Sequence, residues 1–252
     1  MLDAQSITAA ATLLAKAHES RKPLDGFPDA CRPTTLEDGY AIQDAVAAAS
    51  GASVGGYKAI APKEGDPTHG TMYTHMVRAT PAQFAAAAVR PCGVEGEVAF
   101  RAKVDLPARA TAYTRDEVAA AMDACAAIEV VSSRFADYSK MTVFERLADN
   151  NFNGGFVYAD AVADWRDLDL KNLHVVLEVN GTVVDEHNGG HPTGDPLGVA
   201  VSLVNQLRTG AGIRAGQYLT CGSYTGVKFL KPDDVCIVRF EGLGEAQVGI
   251  VP

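Results

Sequence analysis

Glu95 and Glu97 are the residues with the most chemistry to offer, set two apart in Val94-Glu95-Gly96-Glu97-Val98-Ala99-Phe100. Successive side chains of a strand point to opposite faces, so these carboxylates share one face at about 7 Å along the strand. Val94, Val98 and Phe100 line the other. Two such carboxylates repel unless water or a cation lies between them, and a solvated strand edge satisfies the same pattern. Glu129 is a third acid, placed in the apolar run Ala126-Ala127-Ile128-Glu129-Val130-Val131, which should be buried on both sides. A buried, ionised carboxylate costs several kcal/mol unless it is paired or bound to metal. Arg134, five residues on, is its candidate counter-ion. Three carboxylates with no accompanying His or Cys cluster suit a hard cation, Mg²⁺ or Mn²⁺, which keeps waters that a bidentate substrate can displace.

Other residue types invite a role near such a centre. Lys58 has apolar neighbours; desolvation lowers a lysine's pKa and suits it to proton transfer or to holding a carboxylate, although a solvated surface lysine fits the same residues. Asp149 and Asn150 follow a helix end, where they either orient Lys58 or a bound water or cap a turn. His191, before Pro192, fixes the loop that opens the next helix. The turn Thr220-Cys221-Gly222-Ser223 offers backbone N–H groups and hydroxyls to a carboxylate.

The elements that must position these residues come in two textures. Residues 4–20 show helical spacing of Ile7, Ala10, Leu13, Leu14 and Ala17. A second helix opens at Thr34-Thr35-Leu36-Glu37, with Thr34 as cap and Glu37 reaching back, and stops at Gly51. Short apolar runs then alternate with turn residues, which is the pattern of strands. They include 54–60, 94–103, 127–132, 173–179, 182–186, 217–219, 235–240 and 246–251. Asn180-Gly181 marks a two-residue hairpin. A capping box at Thr114 and Glu117 opens a helix expected to reach about Ala126, and another helix is expected from near Asp195 to Arg208. The expectation is an α+β fold dominated by a curved sheet or β-roll, with a helical unit over 1–52 and a catalytic domain over 53–252.

Composition narrows the partners. The 252 residues carry a formal charge of −9, which argues against nucleic acid, since phosphate binding needs a cationic surface. The five cysteines show no CxxC spacing, and neither a signal peptide nor an apolar run of about 20 residues is apparent. A cytoplasmic protein with free thiols and no membrane partner is expected.

Taken together, Glu95-Gly96-Glu97, Ile128-Glu129-Val130-Val131-Ser132-Ser133-Arg134, Ala148-Asp149-Asn150 and Gly190-His191-Pro192 occur in the order seen in the 2-keto-4-pentenoate hydratase branch of the fumarylacetoacetate hydrolase family. Gly56-Tyr57-Lys58 and Leu219-Thr220-Cys221-Gly222-Ser223 are similar to two further segments of that family, and the likeness spans roughly residues 36–250. The resemblance implies a mixed β-sandwich roll in which Glu95, Glu97 and Glu129 hold a divalent metal. It also implies a substrate that chelates the metal through 2-oxo and carboxylate oxygens. Members add water to a dienoate, decarboxylate an oxo-diacid, as 4-oxalocrotonate-type enzymes do, or cleave an acylpyruvate. The resemblance further implies a homo-oligomer, or a complex with a sister hydratase or decarboxylase.

Two departures stand out. Thr68-His69-Gly70-Thr71 replaces an Asp-Phe-Gly-Thr-like segment that carries an acid, and Phe152 replaces a serine. His69 titrates near neutrality and is a candidate to take over as proton donor, or is an ordinary loop histidine. The expected function is a metal-dependent lyase of a small 2-oxo acid, with a decarboxylase, an acylpyruvate hydrolase and a non-catalytic partner subunit as alternatives.

Overall fold

The structure is a computed structural model and describes residues 1–60, 65 and 67–252. Two helices, α1 (Ala4–Ser20) and α2 (Leu36–Ser50), precede β1 (Val54–Ile60), β2 (Thr68–Tyr73), β3 (Val77–Ala79), β4 (Ala82–Ala85) and β5 (Gly93–Ala102). Next come α3 (Arg115–Ala121), β6 (Met122–Val131), α4 (Val143–Ala148), β7 (Asn153–Tyr158), β8 (His174–Val179) and β9 (Thr182–Asn188). The chain ends with α5 (Pro196–Leu207), β10 (Tyr218–Ser223), β11 (Lys228–Phe229), β12 (Val235–Phe240) and β13 (Gly244–Val251).

These strands make an eight-stranded sheet ordered β2-β1-β10-β5-β6-β7-β3, with β11 also on β5, and a five-stranded sheet ordered β4-β13-β12-β8-β9. Both contain parallel and antiparallel pairs, so the fold is the expected α+β roll of mixed sheets. Strand alternation explains how the sheets meet. Val94, Val98, Phe100, Ile128 and Val130 of the large sheet are fully buried in one core with Val175, Leu177, Val238 and Val248 of the small sheet. The opposite face of the large sheet carries Met72, Ala99, Cys125, Ala127, Phe156 and Tyr218 in a second cluster. The carboxylates of β5 and β6 belong to that face.

The helices α1 and α2 pack through Ala10, Leu14 and Ile42 on Phe135, Ala148 and Phe152, with Phe27 edge-on to Phe135 at 5.2 Å. Two local expectations need correcting. The α2 cap is Thr35, whose side chain accepts from Asp38 N, while Thr34 donates to the Asp38 carboxylate. The capping box at Thr114 is present, but α3 stops at Ala121, and Met122–Ala126 form strand. Those five residues lie opposite Ala102 to Val98 of β5, and small side chains fit the crowded interior that this pairing creates. The Asn180-Gly181 hairpin is present, with φ of 53° and 75° as a type I′ turn requires.

Gly96 sits between the two glutamates where β5 packs closely on β12 of the small sheet. A Cβ at this position would lie 2.6 Å from Val238 Cγ2 and 3.1 Å from Thr225 Cγ2. Gly96→Ala should therefore push the sheets apart and destabilise the protein by about 1–3 kcal/mol. The check is urea unfolding, and an unchanged midpoint would refute the close approach.

Candidate metal centre

Antiparallel pairing of β5 and β6 places Glu95 directly opposite Glu129, while Glu97 lies two residues along on the same face. Like charges directly opposite each other destabilise a sheet. Here the effect is acute, because Glu97 and Glu129 are 2% and 0% exposed. One oxygen from each of the three carboxylates lies within 4.8 Å of the others. Burial first, then repulsion from Glu129 and Glu95, pushes the Glu97 carboxyl well above its ordinary range. Burial likewise drives Glu129 up to about 7, opposed by Lys58 and reinforced by Glu95.

Lys58 is the one basic side chain in contact with this cluster among the described residues. It is 4% exposed, and its Nζ lies 2.5 Å from Glu129 Oε1. Burial disfavours its charge, but Glu129 and Glu95 outweigh that effect and raise its pKa. Nζ also donates to the Asn151 carbonyl at 3.0 Å. Asn153 Nδ2 adds a second contact to Glu129 Oε1 at 3.2 Å. Glu129 Oε2 is left buried and without a hydrogen-bond partner among the described residues. On the far side, Gly222 N–H donates to Glu97 Oε2 at 3.1 Å. One lysine facing three carboxylates leaves negative charge over, and the orphaned Oε2 sits among oxygen-only donors. A hard divalent cation fits that donor set.

The Asn151 carbonyl reaches Lys58 through a strained turn. Asn150, Asn151 and Phe152 have φ of 52°, 51° and 62°, a run of left-handed residues ending in a bulky side chain. Gly70 makes room for it: a Cβ there would lie 2.2 Å from the Asn150 carbonyl oxygen. The two departures noted in the sequence meet at this turn. Thr68 stands on the Lys58 face of β2 and accepts from Asn151 Nδ2 at 3.4 Å, and Phe152 packs into the helical core.

The other candidates are distributed unevenly. Thr220 lies beside Lys58 in the parallel β1–β10 pair, and Ser223 lies opposite Glu97. The Oγ atoms of both are buried without a partner, whereas the Gly222 N–H is taken by Glu97. Asp149 is buried in an ion pair with Arg134, which also donates to the Asn153 and Asp149 carbonyls. The expected Arg134–Glu129 pair is therefore replaced by Arg134–Asp149 and Lys58–Glu129. His69 pairs with Ala59, so it occupies the face of the sheet opposite Lys58. There its Nδ1 lies 3.3 Å from both Tyr40 OH and Gln206 Oε1. His191 braces the Thr220–Ser223 segment, since its Nε2 donates to the Cys221 carbonyl at 2.8 Å. Sequence reading missed Asn151 and Asn153 as parts of the site. Their signal was an Asn-rich run just after the Asp149 helix end, too polar for the buried place it occupies.

A family model described as the fumarylacetoacetate (FAA) hydrolase C-terminal domain matches residues 35–251. The chain belongs to that family. It is 29% identical to the 2-keto-4-pentenoate hydratase of Paraburkholderia phymatum, with 98% of each chain covered. It is 31% identical to the 4-oxalocrotonate decarboxylase of Pseudomonas putida over 63% of this chain and 60% of that one. Among solved structures, the 4-oxalocrotonate decarboxylase from Pseudomonas putida G7, complexed with magnesium and adipate, superposes with a TM-score of 0.85. That match covers 100% of this chain and 99% of the other at 23% identity, a likeness of fold. No helix among the described residues is long and apolar enough to cross a membrane.

Removing one partner of a buried ion pair strands the other charge, so Lys58→Met should lower apo-protein stability by about 3–5 kcal/mol. Measured by urea unfolding, most of that loss should return when millimolar Mg²⁺ is added, and a loss that ignores Mg²⁺ would count against the metal centre. The histidines give a pH test. Burial holds His69 and His191 below their ordinary 6.5, so the folded state binds fewer protons than the unfolded chain near that pH. Their contribution is complete above pH 6.5 and is lost as pH falls toward their folded values. The raised Glu97 and Glu129 carboxyls act in the opposite sense, so the histidine effect is read as a difference: as pH falls below 6.5 the thermal midpoint of His191→Gln should rise relative to that of the parent protein.

Proposed function

We propose that this protein is a metal-dependent lyase acting on a small 2-oxo acid, and within that class a hydro-lyase of the 2-keto-4-pentenoate hydratase type. The observation that carries the reading is the face-to-face array of Glu95, Glu97 and Glu129 with Lys58 buried against it. The relatives named above are lyases by name; the sequence match along nearly the full length is to a hydratase, while the full-length structural match is to a decarboxylase.

Glu95, Glu97 and Glu129 would hold the cation, Mg²⁺ or Mn²⁺. When bound, it supplies positive charge against which negative charge can develop on a 2-oxo acid. Thr220 Oγ1 and Ser223 Oγ, buried on the same face and unpartnered, are placed to donate to the substrate carboxylate. Lys58 Nζ is the group placed to hold or deliver a proton, oriented by Glu129 Oε1 and the Asn151 carbonyl. The buried apolar side chains of Met72, Ala127 and Phe156 on this face keep bulk water from the reacting end.

Specific contacts disfavour the alternatives. A diacid decarboxylase needs a second cation for the distal carboxylate. The candidates are occupied elsewhere: Arg78 with the Gln83 carbonyl and Phe84, Arg134 with Asp149, and Lys140 with Asp137. An acylpyruvate hydrolase needs a base paired with an acid, and His69 is hydrogen-bonded to Tyr40 and Gln206 on the other face.

The test is turnover of 2-hydroxypenta-2,4-dienoate, followed by loss of dienoate absorbance. Activity should require Mg²⁺ or Mn²⁺, vanish in Glu97→Ala, and fall by about 10²-fold or more in Lys58→Met assayed below its unfolding transition. Oxalate should still bind the Lys58→Met protein in the presence of metal. Unchanged turnover in excess EDTA would sink the metal-dependent reading, and CO₂ release from an oxo-diacid without water addition would move the protein to the decarboxylases.

A further inference from the structure

A cavity of about 330 Å³ lies between α1, α2 and the left-handed turn, separate from the metal centre. Neither Lys58 nor any of the three glutamates lines it, and Asn153 forms the wall between the two. One side is apolar, formed by Leu14, Ala15, Val46 and Ala49. Its floor is polar and buried: Asn150 is 8% exposed, and its Oδ1 has no hydrogen-bond partner among the described residues. The Tyr73 phenol, which also lines the cavity, faces the Asn150 amide.

The charges around this space limit what can enter it. Arg134 borders the cavity, but its guanidinium is committed to Asp149 and to the Asn153 and Asp149 carbonyls. Glu19 stands at the exposed mouth. Among the described residues, a carboxylate would find no uncommitted lysine or arginine in the lining, only the imidazoles of His18 and His75, and an acid at the entrance. A neutral molecule with an apolar body and one hydrogen-bond donor matches the apolar side and the Asn150 acceptor. An apolar cavity of roughly 150 Å³ already holds benzene, so this one has room for a substituted ring.

We infer that the cavity between α1, α2 and the Asn150–Phe152 turn is a second small-molecule site that takes a neutral phenol, with its hydroxyl donating to Asn150 Oδ1. Asn150 is followed by Asn151, whose carbonyl holds Lys58, so an occupant also braces the turn that positions that lysine. The inference stands on this cavity alone and does not depend on which reaction the metal centre performs.

The experiment is a ligand-observed NMR titration of phenol into the Mg²⁺-loaded protein, with saturating oxalate present and absent, and with benzoate as the charged control. Saturable phenol binding, indifferent to oxalate and tighter than that of benzoate, is expected. Ala15→Phe, which fills the apolar end, should weaken it by about tenfold or more. Asn150→Gly accepts the positive φ and removes the acceptor, so it should weaken binding similarly and serves alone if Ala15→Phe does not fold. No saturation at millimolar phenol overturns the proposal. So does displacement by oxalate, tighter binding of benzoate, or unchanged affinity in either folded variant.

Discussion

Three carboxylates brought face to face inside a protein are an unstable arrangement, and most of this molecule is organised around making it tolerable. Glu95 and Glu129 are opposed by strand register, which the chain cannot change without turning every β5 and β6 side chain to the wrong face. Register is fixed in turn by the apolar set that alternates with the acids and fills the space between the two sheets. The same alternation that builds the core therefore forces the charges together. Lys58 and the Asn153 amide answer Glu129, the Gly222 N–H answers Glu97, and oxygen ligands are left over. A cation completes the electrostatics instead of being added to a finished site.

Much of this was legible in the sequence, for a definable reason. Period-two alternation around Glu95 and Glu97 and the apolar run around Glu129 carry both face and burial, so the acids and their strands could be read directly. The helices α1 and α5 and the Asn180-Gly181 hairpin were equally plain, because caps and turn chemistry are local. Alanine blurred the rest. Met122-Asp123-Ala124-Cys125-Ala126 has no strong preference of its own, and its strand identity comes from β5, which pairs with all five residues. Strand β7, beginning Asn153-Gly154-Gly155, looks like a turn until its partners are known. Ion-pair partners were the least legible: Lys58 lies 71 residues from Glu129, and nothing local distinguishes that pairing from Arg134 with Glu129.

The positioning of Lys58 shows where the fold accepts strain. Three consecutive left-handed residues without a glycine are costly, and such conformations persist only where the surroundings over-determine them. Here Gly70 gives way to the turn, Phe152 anchors it in the helical core, and Asn151 touches Thr68 and Lys58 together. The helical unit, which supplies no metal ligand, thus contributes to the site by clamping the turn from behind.

The wide spacing of the site along the chain has a consequence for how it comes into being. Lys58 meets Asn151 across 93 residues, and Glu97 meets Gly222 across 125. Loop closures of that length are slow and of high contact order, so they come late in folding. A growing polypeptide carries Glu95, Glu97 and Glu129 well before Gly222 has been made. Until then the acids lie on an unfinished hairpin open to water, with little reason to select one ion over another. Any choice between ions at this site would therefore belong to the completed roll, whose last third brings Gly222 to Glu97.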